Sequence, residues 1–383
     1  PAEQRVERRE PPKRTPPRSA PAPDLAGAGL EGLDFGLPSY AQEDLGDMAG
    51  NLLGGPVVIA GGTQRDGSTL VRLDGALTAD GIARYASPAA GKRLAKRLAG
   101  PTRYAAVVKV KNQRPEITVE SSLAGMAIDL PAPLSKTAGE SLPLRVSVTP
   151  VGLFDQSVQS EEIRATLGKS VSARYLRQRP GTKNADWRLV RGGIGVNAPP
   201  PLADTGGAMS VNLSSLNLDA WRAVASGLSE NAAGEGEGLP PSGAVYLSPD
   251  SVNLRSKELS LAGRVFENVS VNASRMRSGW QVGIQSDKIV GRATWEDPLS
   301  EKGAGKLSAR LSLLKIEQGN TAEVTDLLGG KKSFTELPGL DIVADSFELR
   351  GMKLGRLELA ATHAGLASGP GREWRISRLV IRN

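Results

Sequence analysis

Trp280-Gln281-Val282-Gly283-Ile284 alternates bulky apolar residues with polar or small ones, and this two-residue beat decides how the chain is read. A period of two places alternate side chains on opposite faces of a strand. Shorter copies headed by Trp stand at Trp187-Arg188-Leu189 and Trp374-Arg375-Ile376. Their spacings are 280 − 187 = 93 and 374 − 280 = 94 residues. The chain therefore reads as mainly β, an elongated, curved antiparallel sheet with one greasy and one wet side. What lies against the greasy side becomes the functional question.

Composition agrees. Among 383 residues, 45 Gly and 26 Pro supply many turns, and only 4% aromatic residues argue against large packed helices. There is no Cys, which excludes disulfides, thiolate metal sites and Cys nucleophiles. No stretch reaches the roughly 18 to 20 consecutive apolar residues that span a bilayer. Beginning at Pro1 and ending inside a strand pattern, the chain reads as a segment of a longer protein.

Four divisions follow. Residues 1–24 are predicted to be a basic, Pro-rich disordered linker, with Arg5, Arg8, Arg9, Lys13, Arg14 and Arg18 and hardly any large apolar residue. Their basic residues have no interleaved aromatics, so nucleic acid is not an expected partner. Residues 25–230 form strands with short helices, and 231–243 form a Gly/Pro-rich linker. Residues 244–383 continue the strands.

The apolar positions of the alternating runs are the candidate lining of the greasy side. In the first half these are Val71, Leu73, Val108, Val110, Ile117, Val119, Leu144 and Val146. In the second half they are Leu259, Leu261, Val269, Val271, Val282, Ile284, Leu307, Leu311, Leu357 and Leu359. Residues 24–52 read as a loop and a short helix. Helical spacing recurs over 82–99 and 219–229, with Asp219 as the expected N-cap, and Thr321–Gly329 reads as a further short helix. The stretches 82–99 and 219–229 are expected to plug or cap the sheet rather than cover it.

Motifs for chemistry are missing. His363 is the single histidine, in a stretch that reads as a turn, and one His without Cys builds no zinc site. No Gly-x-Ser-x-Gly elbow accompanies it. Gly168-Lys169-Ser170 mimics the end of a phosphate loop, but Ile163 occupies the position where that motif needs Gly. No catalytic residue, metal ligand or cofactor site is assigned, and none is expected.

Three further stretches carry a resemblance. The first is Leu98-Ala99-Gly100-Pro101-Thr102-Arg103-Tyr104 together with Ser121 to Lys136, which includes Leu130-Pro131-Ala132-Pro133-Leu134-Ser135-Lys136. The second is Leu216-Asn217-Leu218-Asp219-Ala220-Trp221. The third joins Leu337-Pro338-Gly339-Leu340-Asp341-Ile342, Gly351 to Leu359, and Trp374-Arg375-Ile376. Over roughly residues 45–383 the chain resembles the AsmA-like superfamily, specifically its long YhdP-type members.

That resemblance implies a β-groove that carries phospholipid between the inner and outer membranes of a Gram-negative envelope. It implies a periplasmic position, an N-terminal inner-membrane anchor helix absent here, envelope protein partners and no enzymatic activity. The alternation itself leaves two alternatives open. The rows could pack on each other in an ordinary sandwich core, giving a periplasmic scaffold, or the frame could carry a glycan-acting enzyme.

Overall fold

The computed structural model describes residues 43–44, 48–85, 93–152, 158–181, 185–229, 246, 248–298, 305–317, 338–365 and 372–383. The predicted linkers at 1–24 and 231–243 and the helix predicted at Thr321–Gly329 lie outside the described residues. Residues 42–383 form one compact unit.

The strands of its first half are β1 (Glu43–Asp44), β2 (Met48–Leu52), β3 (Gly54–Thr63), β4 (Thr69–Thr78), β5 (Leu98–Ala99), β6 (Pro101–Lys111), β7 (Arg114–Ser121), β8 (Ala127–Ile128), β9 (Leu144–Pro150) and β10 (Val158–Leu167). Then come β11 (Val171–Pro180), β12 (Arg188–Val196), β13 (Gly206–Asn217), β14 (Ser251–Leu261), β15 (Arg264–Met276), β16 (Gly279–Gln285) and β17 (Ile289–Glu296). The last are β18 (Lys306–Ile316), β19 (Gly339–Leu349), β20 (Met352–Gly365) and β21 (Arg372–Arg382). Helices α1 (Ala79–Tyr85) and α2 (Leu218–Ser229) interrupt the series.

All strands but β5 and β8 join one large sheet. β1 and β2 pair with successive stretches of β3, so the sheet is 18 strands wide, and it does not close into a barrel. At about 4.8 Å per strand it runs roughly 80 Å along its surface. The chain follows it nearly in sequence order, each strand pairing with the next.

Three pairings are parallel: β12 with β13, β13 with β14, and β18 with β19. A parallel neighbour requires the chain to return to the starting end of the previous strand. The connections after β12, β13 and β18 do this, which makes the sheet mixed where alternation alone predicts antiparallel pairing.

The hairpins explain the strict register elsewhere. Ala262 and Gly263 join β14 to β15 with φ of 52° and 66°, and Arg350 and Gly351 join β19 to β20 with φ of 53° and 80°. Two central residues in the left-handed region make the tight turn whose twist matches that of the flanking strands.

Two sequence expectations are corrected here. The segment read as a short helix within 24–52 supplies β1 and β2, because the β3 edge offers a hydrogen-bonding partner that helical spacing does not reveal. His363 stands in β20 opposite Trp374, not in a turn.

The strand ends form two rims. One carries α1, the excursion 122–143 between β7 and β9, α2 and the turns at 262–263 and 350–351. The other carries the turns at 64–68, 112–113 and 277–278 and the strand ends bearing Trp187, Trp280, Trp295 and Trp374.

Candidate functional site: an apolar face crossing the whole sheet

Residues in register on neighbouring strands point to the same face, so the register traces rows across the sheet. From β2 to β9 one row runs Met48, Ile59, Leu73, Ala106, Val119, Val146. From β10 to β15 it continues through Ala165, Ala173, Ile194, Met209, Val252 and Ala273. From β16 to β21 it ends with Val282, Ala293, Ala309, Ile342, Leu359 and Leu379. All eighteen positions are apolar, and no strand breaks the row.

The neighbouring positions on this face follow suit. Val71, Val108 and Ile117 stand in register on one side of the row. On the other side Val171, Val196, Val211, Leu254, Val271 and Ile284 are in register. Leu311, Ala344, Leu357 and Ile381 extend that second line to the last strand. The eighteen candidate residues from the sequence all fall on this one face, Leu259 and Leu261 at its capped rim.

The opposite face is wet. One residue along from the row stand Arg72, Thr118, Ser147, Arg164, Arg174, Ser274, Gln281 and Thr294. Ion pairs along and across the strands lace it together. Arg145 meets Glu120, Glu162 meets both Arg164 and Arg174, and Arg310 grips Asp341 with two nitrogens at 3.1 and 2.9 Å. Burial works against ionisation of Glu162, but the hydrogen bonds from Arg174 and Arg164 outweigh it and hold the carboxyl below its ordinary value.

Exposure distinguishes a face from a core. Of the eighteen row residues, Ala106 and Ala309 are buried, Met48 and Leu379 are exposed, and the other fourteen are half-buried. A second packed layer would bring such residues close to zero exposure. The fourteen half-buried positions fall short of that. The crossover after β12 preserves this, because it lies on the wet side. A Cβ on Gly195 would come within 2.0 Å of the Ala198 carbonyl oxygen, and one on Gly193 within 2.6 Å of that of Pro201. Both glycines point away from the apolar row, so the loop leaves it uncovered.

The rim with the helices is closed over. Leu218 and Trp221 of α2 pack on a buried cluster of Leu213, Leu216, Leu254, Leu259 and Val269. The Asn217 side chain accepts from the amide of Ala220 at 2.9 Å and is the N-cap of α2. Asp219, expected in that role, instead accepts from the amides of Ala262 and Gly263 at 2.8 and 3.1 Å. It staples the helix to the β14–β15 turn, a contact that needs the tertiary fold and is invisible to a local capping rule.

Those two amides hold the Asp219 carboxyl below its ordinary value of 3.8. A depressed carboxylate contributes stability above its unfolded value and loses it as pH falls through the folded one. Below about pH 4, α2 is therefore expected to loosen from the turn. A change in Trp221 fluorescence at that pH, absent in Asp219→Asn, would show it; an unchanged signal would refute it.

The excursion 122–143 belongs to the same rim. Lys136 is buried, and its ammonium donates to the carbonyls of Met126 and Thr137 at 2.6 and 2.9 Å. Burial draws its pKa below the ordinary value. Trp221 Nε1–H donates to the Ala132 carbonyl at 3.2 Å, tying α2 to the Pro-rich loop. Two of the three stretches that carried the resemblance thus touch, and within the third Trp374 Nε1–H donates to the Pro338 carbonyl at 3.0 Å.

The other rim keeps a different chemistry, which sequence reasoning missed. Arg177 and Arg179 lie over the Trp187 ring at 4.5 and 4.6 Å, and Arg275 lies over Trp280 at 5.6 Å. Between the rims, the buried Tyr175 meets Tyr246 edge to face and donates its hydroxyl to the Tyr246 carbonyl. Burial pushes the Tyr175 phenol up to about 12.

Among the described residues no group of three or more His, Asp or Glu is placed to hold a metal. No described helix is long and apolar enough to cross a membrane.

Among the described residues, one broad mixed sheet with a continuous, half-exposed apolar face defines a class of mainly β proteins. The chain belongs to the YhdP family: the family model described as YhdP protein matches residues 40–383. That family is of transport type and non-enzymatic. No curated protein and no solved structure matched the chain.

Proposed function

We propose that this chain is a segment of a lipid-transfer bridge whose apolar face shields phospholipid acyl chains from water. The observation that carries this reading is the row of eighteen apolar residues running unbroken from Met48 to Leu379. A phospholipid carries on the order of 30 methylenes, and exposing them to water costs about 25 kcal/mol at ~0.8 kcal/mol each. An aqueous crossing therefore needs a lining without gaps, because a single polar strand would reinstate part of that cost. Val, Leu, Ile and Ala offer no fixed hydrogen bonds, which suits chains that slide.

Family membership supports placing it in the cell envelope, spanning the periplasm between inner and outer membranes, with anchorage supplied by a helix outside this segment. The ligand is phospholipid, and no chemistry is performed on it. Envelope proteins at either end are the expected partners.

A second reading has its own support. The buried cluster under α2 and the contact between Tyr175 and Tyr246 show that parts of the face are filled by the protein itself. Extended over the whole face, such filling would make the protein a scaffold. Mass spectrometry of lipid that remains with the protein after purification in mild detergent decides between them. Phospholipid in stoichiometric or greater amount is expected; a lipid-free preparation would leave only the scaffold.

A further inference from the structure

We infer that the tryptophan rim carries two recognition stations for zwitterionic phospholipid headgroups, one on β10–β12 and one on β15–β17. The inference rests on the groove reading and adds a site for the polar end of the ligand.

The first station is a charged patch at the margin of the apolar face. Glu161 and Arg177 are in register, two residues from Ile163 and Tyr175, and therefore share their face. Arg177 donates from Nε and Nη2 to one Glu161 oxygen at 3.0 and 2.7 Å. Both side chains are largely shielded, at 13% exposure for Glu161 and 23% for Arg177. Arg179 stacks on the same Trp187 ring as Arg177, and its Nε donates to Gln159 at 2.7 Å.

The second station repeats the composition. Arg275, Trp280 and Trp295 are in register on the apolar face, next to Ala273, Val282 and Ala293 of the central row. Asp297 lies 3.7 Å from Arg275 and accepts from Trp295 Nε1–H at 3.1 Å. An arginine, a carboxylate and a tryptophan thus recur at the same rim.

Each set matches a headgroup that holds one phosphate and one ammonium. A guanidinium exchanges a carboxylate for a phosphate without losing its charge-assisted hydrogen bonds. The ammonium then takes the freed carboxylate, while the stacked indole holds the arginine in place. Tails start on the apolar row, which at the first station lies four residues away along the strand, about 13 Å. A singly anionic headgroup such as phosphatidylglycerol would leave Glu161 or Asp297 beside a negative charge with no partner, which is discrimination by repulsion.

The test incubates the intact protein with vesicles of phosphatidylethanolamine and phosphatidylglycerol in equal amounts, re-isolates it and counts bound lipid by headgroup. Wild type should favour phosphatidylethanolamine about fivefold, the size of a charge-assisted contact at a partly exposed site. The near-isosteric Glu161→Gln/Asp297→Asn variant should hold less phosphatidylethanolamine and more phosphatidylglycerol, so that the ratio falls to about one or below, since the ammonium's partner is lost, phosphate binding survives and repulsion is gone. Arg177→Gln/Arg275→Gln should lower both lipids. The same ratio in wild type and the carboxamide variant, or no preference in wild type, overturns the stations and leaves the groove intact. No bound lipid in wild type overturns the groove reading itself.

Discussion

Val282→Asp is expected to lower the lipid held by the protein at least about tenfold while the sheet stays folded. Val282 occupies the central row with Ala273 and Ala293 in register on either side, and it is half-buried. Without lipid its carboxylate can reach water, so the fold should bear little beyond the weak strand preference of Asp, about 1 kcal/mol. With an acyl chain lying across it, the same carboxylate must shed its hydration without gaining a partner, which costs several kcal/mol. Gln281→Asp, one residue away on the wet face, is the matched control and should change nothing. Circular dichroism and lipid mass spectrometry on the three proteins check this. Unfolding of Val282→Asp would mean a closed core, and unchanged lipid would mean that the row is not the path.

The second large effect is expected where the face is already filled. Leu259→Ala removes a side chain only 4% exposed from the cluster beneath α2. Such truncations cost about 2–5 kcal/mol through lost burial and the cavity left behind. The loss should be local. Each strand pairs only with its sheet neighbours, so energetic coupling fades along the sheet as it does in repeat proteins. Hydrogen exchange should show α2 and β13–β15 opening while amides of β3–β7 keep their protection. Equal loss of protection across the sheet would contradict this, and so would no loss at all.

These two sites also mark how far the sequence could be read. Alternation at Val71 to Leu77, Val108 to Val110 and Val282 to Ile284 makes two faces legible, because a period of two survives without any knowledge of neighbours. Two of the three segments behind the resemblance gather at one rim, where Trp221 meets Ala132. Other features depend on register, which alternation does not contain. The parallel returns at β13, β14 and β19 join strands across long connections. The extra residue in β12 opposite Leu176–Arg177 and the irregularity between Ala344 and Phe347 shift the frame locally. Asp219 looked like a cap because its true partners lie 43 and 44 residues away. The stacking of Arg177 and Arg179 on Trp187 was hidden for the same reason: basic and aromatic residues ten and eight apart signal nothing until a hairpin brings them together.

The crossover after β13 and the one after β18 enclose five strands, β14 to β18, and each restarts the next strand on the heading of the last. A block of this kind can be duplicated or excised with its outer neighbours still able to rejoin, because both cut edges present the same direction and the same greasy side. Five strands at about 4.8 Å add roughly 24 Å of width. Evolution can therefore retune the reach of such a ribbon in fixed increments through in-frame gain or loss of whole blocks, without redesigning any residue on either side of the join.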